Sequence, residues 1–451
     1  MTSVLSSSAS VNPGVSAVVS AVVPQSRLEA DHWHIFCRVI DNFGDIGVCW
    51  RLAQQLAREH SQLVTLWVDD LHSFAALCPA LKPDLAWQAV TVDAALADTP
   101  MVQVGHWSEP FQWPAQHNLV AGSVDVVIEA FACHLPEPVL AAMQGMMAAG
   151  HAPLWINLEY LSAEDWVPGF HLSPSPVNGM LKYFFFPGFE AGTGGLLFDP
   201  GLLQRGEHMQ NPQARWAFLQ TLGLDSSLLD YDLQISLFAY ENPAIAGLLE
   251  VLAQYHQPVH LLVPAGRASA DVERWLGEPL VAGQTRLRGM LAVSAIPFLS
   301  QPDYDNLLAY CDLNLVRGEE SFVRAQMIGK PFLWHIYCQE DNVHLEKLAE
   351  FQALYLQALY GQDGRTSRPG HNRLGAQANV DRLLAERLTL ITRIWNADAQ
   401  VAGQTPDWDG LLGQLPRWQE HARHWQQHCL TLGDVARNLV KFRENTRENT
   451  L

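Results

Sequence analysis

The sequence lacks the features that mark several common protein classes. Its seven cysteines, among 451 residues, are odd in number, scattered and without a CxxC pair. We therefore expect reduced thiols, and neither a disulfide framework nor a zinc site. No apolar run reaches the roughly 18–20 residues of a membrane-spanning helix. Basic residues are also few, since 28 Lys and Arg against 47 Asp and Glu give a net charge of −19. Nucleic acids and anionic membranes are bound through basic clusters, so neither is an expected partner.

The first 31 residues also lack what a targeting segment needs. They are rich in Ser, Val and Ala, and no Lys or Arg precedes Arg27. A secretory signal begins with basic residues followed by an uninterrupted apolar stretch, whereas Pro13 and Gly14 interrupt this one. We expect residues 1–31 to be a disordered extension of a cytoplasmic protein whose fold begins near His32.

From there, short apolar runs alternate with segments of helical periodicity. The predicted strands are His34–Ile40, Leu63–Val68, Val126–Ala130, Leu154–Leu158, Leu233–Ala239, Val259–Val263, Leu313–Val316 and Pro331–Trp334. The predicted helices are Gly47–His60, Pro138–Ala149, Pro212–Leu222, Pro243–Tyr255, Ala268–Leu276, Tyr304–Ala309 and Ser321–Ile328. Residues 174–205, with the aromatic run Tyr183–Phe186, are predicted to be irregular, and 361–376 to be a loop before a helical C-terminus. Two such alternations predict two Rossmann-like, doubly wound units that bind ligands at the carboxyl ends of their strands.

An acid-rich loop, Asp41-Asn42-Phe43-Gly44-Asp45-Ile46-Gly47, follows the first predicted strand. In a dinucleotide-binding protein this loop would be a glycine-rich cradle for a pyrophosphate, which Asp41 and Asp45 would repel. From spacing alone, the simplest interpretation of Asp45 is a helix-capping residue. Two carboxylates flanked by glycines also suit a general base that is presented to an acceptor.

A second loop, Arg317-Gly318-Glu319-Glu320-Ser321, lies between a predicted strand and a helix opened by Ser321. Backbone N–H groups, the helix dipole and Arg317 would together bind an anion. Taken alone, a capped helix with a solvated charge cluster explains the pattern equally well. An acid-rich loop in one unit and an anion-binding loop in the other is the division that a two-domain sugar transferase needs.

A third group of residues is mainly aromatic and lies near predicted strand ends. It comprises Phe238, Tyr240, Phe298, Gln301 and Tyr304. Aromatic faces stack on a nucleobase or pack against the methyl group of a deoxysugar, but at strand ends they more often belong to the core. His335 and Cys338 are too few ligands for a metal, so no metal site is expected.

Four long segments resemble one family closely. They are HIFCRVIDNFGDIGVCWRLAQQLA, WINLEYLSAEDWVPGFH, MLKYFFFPGFEAGTGGLL and LNLVRGEESFVRAQMIGKPFLWHIYCQEDNVH. The family is EarP, the bacterial protein-arginine rhamnosyltransferases of elongation factor P (EF-P). The resemblance implies a GT-B α/β fold, with two Rossmann-like, doubly wound domains facing across a cleft. It implies an acceptor domain of residues 32–210, completed by a C-terminal helix at about 421–451, and a donor domain of residues 211–420.

The resemblance also implies the chemistry. Rhamnose passes with inversion from dTDP-β-L-rhamnose to one arginine of EF-P, without a metal or other cofactor, and the modified EF-P supports translation of polyproline stretches. Asp45 would be the base, Asp41 would orient the loop and the acceptor, and Glu319 would hold the arginine or act beside Asp45. The implied donor-binding residues are Phe238, Tyr240, Phe298, Gln301, Tyr304, Arg317, Gly318, Glu320 and Ser321.

The sequence departs from the family pattern at two of these positions. Glu320 stands where an aspartate is frequent, and Tyr304 where a phenylalanine is common. Two rival interpretations remain, a GT-B enzyme with another acceptor and a non-catalytic protein that binds nucleotide sugars.

Overall fold

The computed structural model describes residues 30–40, 43–91, 100–113, 124–339, 342–360 and 372–448. Residues from Asp31 onward form one compact unit. Three segments named above lie outside the described residues: 1–29 of the predicted extension, Asp41 with Asn42, and 361–371 of the predicted loop. The remainder of that loop prediction is wrong, because a helix already begins at Asn372.

Within the described residues, eight strands form a first sheet. They are β1 (His32–Cys37), β2 (Leu63–Val68), β3 (Trp87–Thr91), β4 (Met101–His106), β5 (Val126–Ala130), β6 (Leu154–Leu158), β7 (Pro174–Val177) and β8 (Met180–Phe185). Their order is β3-β4-β2-β1-β5-β6-β8-β7. All pairs are parallel except β3 with β4 and β7 with β8 at the two edges. Because β2 and β5 flank β1, the strand order reverses beside β1, and this is where a ligand crevice opens.

A second sheet of six strands follows in the part of the chain that the structure describes. They are β9 (Leu233–Leu237), β10 (Val259–Pro264), β11 (Thr285–Arg288), β12 (Leu291–Ile296), β13 (Leu313–Arg317) and β14 (Phe332–His335). Their order is β11-β12-β10-β9-β13-β14, and the edge strand β11 alone among them is antiparallel to its neighbour. Here the order reverses beside β9. The predicted fold class, α/β with two doubly wound sheets, is confirmed.

Helices cover both sheets. They are α1 (Gly44–Glu59), α2 (Leu71–Leu77), α3 (Glu137–Ala148), α4 (Val167–Phe170), α5 (Pro200–His208), α6 (Pro212–Thr221), α7 (Ala244–Ala253), α8 (Ser269–Leu276), α9 (Gln301–Tyr310), α10 (Glu320–Ile328), α11 (Val343–Tyr360), α12 (Asn372–Trp395), α13 (Trp408–Leu412), α14 (Leu415–Thr431) and α15 (Val435–Glu448). Helix α1 forms because Ile46, Cys49, Leu52 and Leu56 recur at helical spacing, and all four are buried in the core of the first sheet.

The C-terminal helix α15 returns to the first sheet. Its buried residues Val435, Ala436 and Leu439 belong to the same hydrophobic core as β1 and α1. The chain therefore passes through the second sheet and its helices before its last helix packs beside its first.

The predicted alternation of strands and helices is confirmed, with ends that shift by a few residues. Leu63–Val68, Val126–Ala130 and Leu154–Leu158 have the predicted bounds. The prediction missed α2, α4, α11, β3, β4 and the β11–β12 hairpin.

The prediction that residues 174–205 are irregular is wrong. Strands β7 and β8 form a hairpin at the edge of the first sheet, and α5 follows. The turn is made by Asn178 and Gly179, whose φ angles are +51° and +81°. Pro174 and Pro176 suggest broken structure, but an edge strand tolerates proline because part of its N–H groups needs no partner strand.

The cysteines are as expected from the sequence. None of the seven, all of which lie in described ranges, forms a disulfide, and six of them are buried. Cys338 is exposed on the segment that follows β14. No helix in the described ranges is apolar and long enough to cross a bilayer.

Gly195 lies where the chain leaving the first sheet meets the turn before α15, and we expect Gly195→Ala to destabilise the protein. Its φ is +73°, and a Cβ would lie 2.2 Å from the carbonyl oxygen of Gly433. Left-handed strain of roughly 1–2 kcal/mol and the clash should together lower the free energy of unfolding by about 2–3 kcal/mol. Urea denaturation measures this loss.

Gly150→Ala is the matched control. Gly150 has a similar φ of +84°, but no atom lies within 4 Å of the place that a Cβ would take there, so this change should cost only the strain. Equal losses in the two variants would contradict a close approach of the chain at Gly195.

Candidate active site

Loops at the carboxyl ends of the two sheets meet around two adjoining cavities. The first, of about 750 Å³, lies mainly against the second sheet. The other, of about 1020 Å³, extends toward the first sheet. Gly44, at the start of α1, and Gly318 and Glu319, which follow β13, line both cavities. Each sheet thus contributes the loop at the place where its strand order reverses.

The first cavity collects the residues that the sequence assigned to the donor. Its lining includes Phe238, Tyr240, Phe298, Gln301, Tyr304, Arg317, Gly318, Glu320 and Ser321. These residues come from the ends of β9, β12 and β13 and from the first turns of α9 and α10. The structure brings these residues together around one cavity, and we predict that they bind the donor.

Arg317 is the cation of this cavity. Its guanidinium carbon lies 4.5 Å from the ring centre of Phe238 and 4.8 Å from that of Tyr240. Within the described ranges it makes neither an ion pair nor a side-chain hydrogen bond. Cation–π contacts hold the guanidinium by its faces and leave its N–H donors available at the edge.

Helix α10 begins at Glu320, one residue before the predicted start. Ser321 therefore lies inside the first turn, and its hydroxyl donates to the carbonyl oxygen of Arg317 rather than opening the helix. The N-cap residue, Glu319, makes no side-chain capping bond. The first N–H groups of a helix have no acceptor within the helix, so this end of α10 offers donors to an anion in the cavity.

Tyr304 and Phe298 complete the first cavity. Tyr304 is 8% exposed, and its buried hydroxyl lies beside the Ser321 hydroxyl, which donates to the carbonyl oxygen of Arg317. Burial and the charge of Glu320 raise the pKa of Tyr304, so the hydroxyl stays a donor. Phe298 is 41% exposed, and its ring centre lies 5.3 Å from that of Phe43, which also lines this cavity.

Asp45 lies on the wall of the other cavity and is 3% exposed. Its Oδ2 accepts from the backbone N–H of Ile40 at 2.8 Å, and its Oδ1 accepts from the Tyr160 hydroxyl at 3.0 Å. The capping interpretation is wrong, because the N-cap of α1 is Phe43 and no side chain caps it. Both carboxylate oxygens instead have donors that fix their direction.

Glu319 lines the same cavity from the second sheet. Its Oε2 accepts from the backbone N–H of Leu161 at 3.1 Å. Burial, with the charge of Asp45 added, raises the pKa of Glu319 to about 7, although Leu161 and Lys347 act in the opposite direction. Two carboxylates on one cavity wall with a partly protonated member are suited to receive a cation.

Aromatic rings, aliphatic side chains and Lys347 form the remaining walls. Phe131 stacks on Tyr160 with ring centres 4.4 Å apart, and Phe322 stacks on Trp334 at 3.8 Å. Tyr337 and Gln339, on either side of Cys338, line the cavity at its rim. Acidic oxygens bounded by aromatic faces favour a planar cation such as a guanidinium.

Comparison with known proteins decides the family. The family model described as "Elongation-Factor P (EF-P) rhamnosyltransferase EarP" matches residues 33–444. The chain belongs to the EarP family. It is 46% identical over 419 residues to the protein-arginine rhamnosyltransferase of Pseudomonas putida, covering 92% of this chain and 99% of the relative. It is 45% identical over 413 residues to that of Pseudomonas aeruginosa, covering 91% and 98%.

A solved structure agrees with this membership. Described as "Structural basis for EarP-mediated arginine glycosylation of translation elongation factor EF-P", it is 35% identical and superimposes with a TM-score of 0.57. The match covers 92% of this chain and 99% of that chain. The fold class is GT-B, as the resemblance implied.

Two residues of this EarP-family site were missed by sequence reasoning. Tyr160 follows β6, and the rule that ligands bind at carboxyl ends of parallel strands points to it. Arg51 lies between Trp50 and Leu52 on the apolar face of α1, where a charged residue signals a buried partner. Its partners prove to be Glu320 and Asp305, on the far side of the cleft.

Glu319 gives the protein a pH dependence that stability measurements can detect. Its pKa rises from 4.5 when unfolded to about 7 when folded, so the folded state keeps a proton that the unfolded state has lost. The resulting stabilisation is complete below pH 4.5 and disappears as the pH rises through about 7. At about 1.4 kcal/mol per pKa unit the difference amounts to at most about 3.5 kcal/mol, so wild type should lose roughly 2–3.5 kcal/mol relative to Glu319→Gln over that window.

Urea denaturation of both proteins across this pH range measures the difference. Because Glu319 retains some solvent exposure, we expect the smaller value. Parallel stability curves for the two proteins would show that the pKa is not raised.

Proposed function

We propose that this chain transfers L-rhamnose with inversion from dTDP-β-L-rhamnose to an arginine side chain of EF-P. The observation that supports this most is the junction of the two cavities at Gly44, Gly318 and Glu319. One cavity offers an available cation and helix N–H donors, and the other offers two carboxylates. A diphosphate and a guanidinium fit these charges, and the sugar would lie between them. Both substrates are water-soluble molecules of the cytoplasm, where we place the reaction.

The proposal divides the chain into two working domains after an extension of residues 1–31. Residues 32–210 with about 421–451 form the acceptor domain, and 211–420 form the donor domain. The shared core of β1, α1 and α15 supports assigning the last helix to the first sheet.

On the donor side, Arg317 and the first N–H groups of α10 bind the diphosphate. The buried hydroxyl of Tyr304 is an additional donor in this cavity, and the exposed ring of Phe298 stacks on the thymine ring. When the bond between the sugar and the diphosphate breaks, negative charge grows on the departing oxygen. Arg317 stabilises that charge because Phe238 and Tyr240 hold it in place beforehand.

On the acceptor side, the difficulty is the guanidinium itself. Its pKa exceeds about 12, so at neutral pH none of its nitrogens carries a free lone pair. Glu319 and Asp45 bind the guanidinium, and Asp45 takes one N–H proton while that nitrogen bonds to the anomeric carbon. Attack opposite the leaving diphosphate converts the β-linked donor into an α-linked product. Asp41, by the resemblance, orients the acceptor loop.

The direct test mixes the purified protein with dTDP-β-L-rhamnose and EF-P and weighs intact EF-P. We expect the mass of one deoxyhexose to be added. An EF-P variant with lysine at the acceptor position should stay unmodified, since lysine cannot offer two parallel N–H donors to the carboxylates. No addition to wild-type EF-P would refute the proposal, and addition to the lysine variant would refute the paired-carboxylate grip.

Two substitutions should separate donor binding from transfer. Asp45→Asn keeps the shape of the base, so dTDP affinity should stay within about threefold while kcat falls by about 100-fold or more. Phe298→Ala removes stacking worth roughly 1–3 kcal/mol and should weaken dTDP binding about tenfold or more. Calorimetry with dTDP and steady-state kinetics measure both effects.

The two variants serve as controls for each other. Loss of dTDP binding in folded Asp45→Asn would contradict the placement of the base opposite the diphosphate. Unchanged dTDP affinity in Phe298→Ala would contradict the stacking role of Phe298.

A further inference from the structure

A buried group of charged residues joins the two sheets behind the cavities. Its centre is Asp305 of α9, which is 1% exposed. Arg51 of α1 donates to both oxygens of Asp305, from Nη1 at 3.2 Å and from Nη2 at 3.1 Å. Arg324 of α10 donates to the same two oxygens at 2.9 and 2.6 Å and to Asp199 at 3.1 Å. With Glu320, which accepts from Nε of Arg51, these residues form what we call the Asp305 cluster.

The cluster ties together the elements that bear the reacting groups. Arg51 lies six positions after Asp45 on α1, and Asp305 is adjacent to Tyr304 on α9. Arg51 also donates to the backbone carbonyl of Gln301 at 3.4 Å, and the Gln301 side chain donates to the carbonyl of Gly47 at 3.1 Å. Helix α1 is thus attached to the start of α9 at two points and to α10 at a third.

Arg51 lines neither of the two cavities. It lines a smaller neighbouring cavity together with Glu319 and Glu320, and its links to the site run through those side chains and through the helices it joins. Guanidinium forks fix geometry because paired donors must align with both carboxylate oxygens, which a lysine ammonium does not require. Buried ion pairs add little net stability, since the loss of hydration offsets their attraction. What such a pair does contribute is a fixed relative orientation of the helices that it joins.

We propose that Arg51 is a positioning residue for the transfer reaction. It holds α1, with Asp45, at a fixed distance from α9 and α10, which carry the groups around the diphosphate. The inference rests on the proposed function for its kinetic part. A shift of about 1 Å between reacting groups can cost about 100-fold in rate, so loss of the fork should lower kcat far more than it weakens nucleotide binding.

The experiment compares Arg51→Met and Arg51→Lys with the control Arg417→Met. Arg417 makes a similar fork to Asp381, at 2.5 and 3.0 Å, but that pair joins α14 to α12 and does not cross the cleft. Each variant is assayed for kcat with EF-P, for dTDP affinity by calorimetry, and for radius of gyration by small-angle X-ray scattering without ligand.

For Arg51→Met we expect kcat about 100-fold lower, dTDP affinity within about threefold, and a larger radius of gyration. Arg51→Lys keeps the charge and should fold even where Arg51→Met does not, with kcat about tenfold lower. Arg417→Met should keep kcat, dTDP affinity and radius. Full kcat in Arg51→Lys, or equal losses in Arg51→Met and Arg417→Met, would overturn the inference.

The scattering arm separates this inference from the proposed function. If wild-type protein transfers no sugar to EF-P, the proposed function fails. Scattering still tests whether Arg51 holds the two sheets together. A larger radius of gyration in the Arg51 variants, but not in Arg417→Met, supports the role of Arg51 in holding the sheets together. An unchanged radius of gyration in all variants overturns it.

Discussion

Burial of two carboxylates, Asp45 and Glu319, along one cavity is the constraint around which the site is organised. The two carboxylates belong to different sheets and line one cavity, and their mutual charge helps to raise the pKa of Glu319. Neutral donors from Ile40, Tyr160 and Leu161 hold them without removing the charge. In the proposed complex, the positive charge of a guanidinium would offset the charge of both buried carboxylates.

The first cavity, against the second sheet, contains a positive charge without a paired carboxylate in the described part of the chain. Arg317 is held by aromatic faces instead of a carboxylate, so its charge is available to a ligand. Arg317 and Glu319 are separated by Gly318 alone, whose φ of +62° turns the chain between them. In the proposed mechanism, this one tight turn separates the arginine that binds the diphosphate from the carboxylate that binds the guanidinium, and the sugar to be transferred lies between them.

Much of this was readable in the sequence, and the failures have physical causes. Buried parallel strands such as Leu63–Val68 are continuous apolar runs with sharp ends, so their bounds could be predicted. The β7–β8 hairpin was missed because Pro174 and Pro176 are residues typical of irregular segments. The loops that carry Asp45 and Arg317 were found from their residue types and the family resemblance. Tyr160 and Arg51 were missed because they meet Asp45 and Asp305 over 115 and 254 positions of sequence, which depends on how the sheets assemble.

The distribution of thiols has a practical consequence. Burial raises the pKa of Cys133, Cys311 and Cys429 and keeps them from reagents, whereas Cys338 is exposed between Tyr337 and Gln339, which line the larger of the two cavities. Thiol reactivity follows exposure and ionisation, so a maleimide dye or spin label has one preferred point of attachment on the native chain. We expect a ligand bound in this cavity to shield the Cys338 thiol. The rate of alkylation would then report occupancy of the cavity without an engineered cysteine.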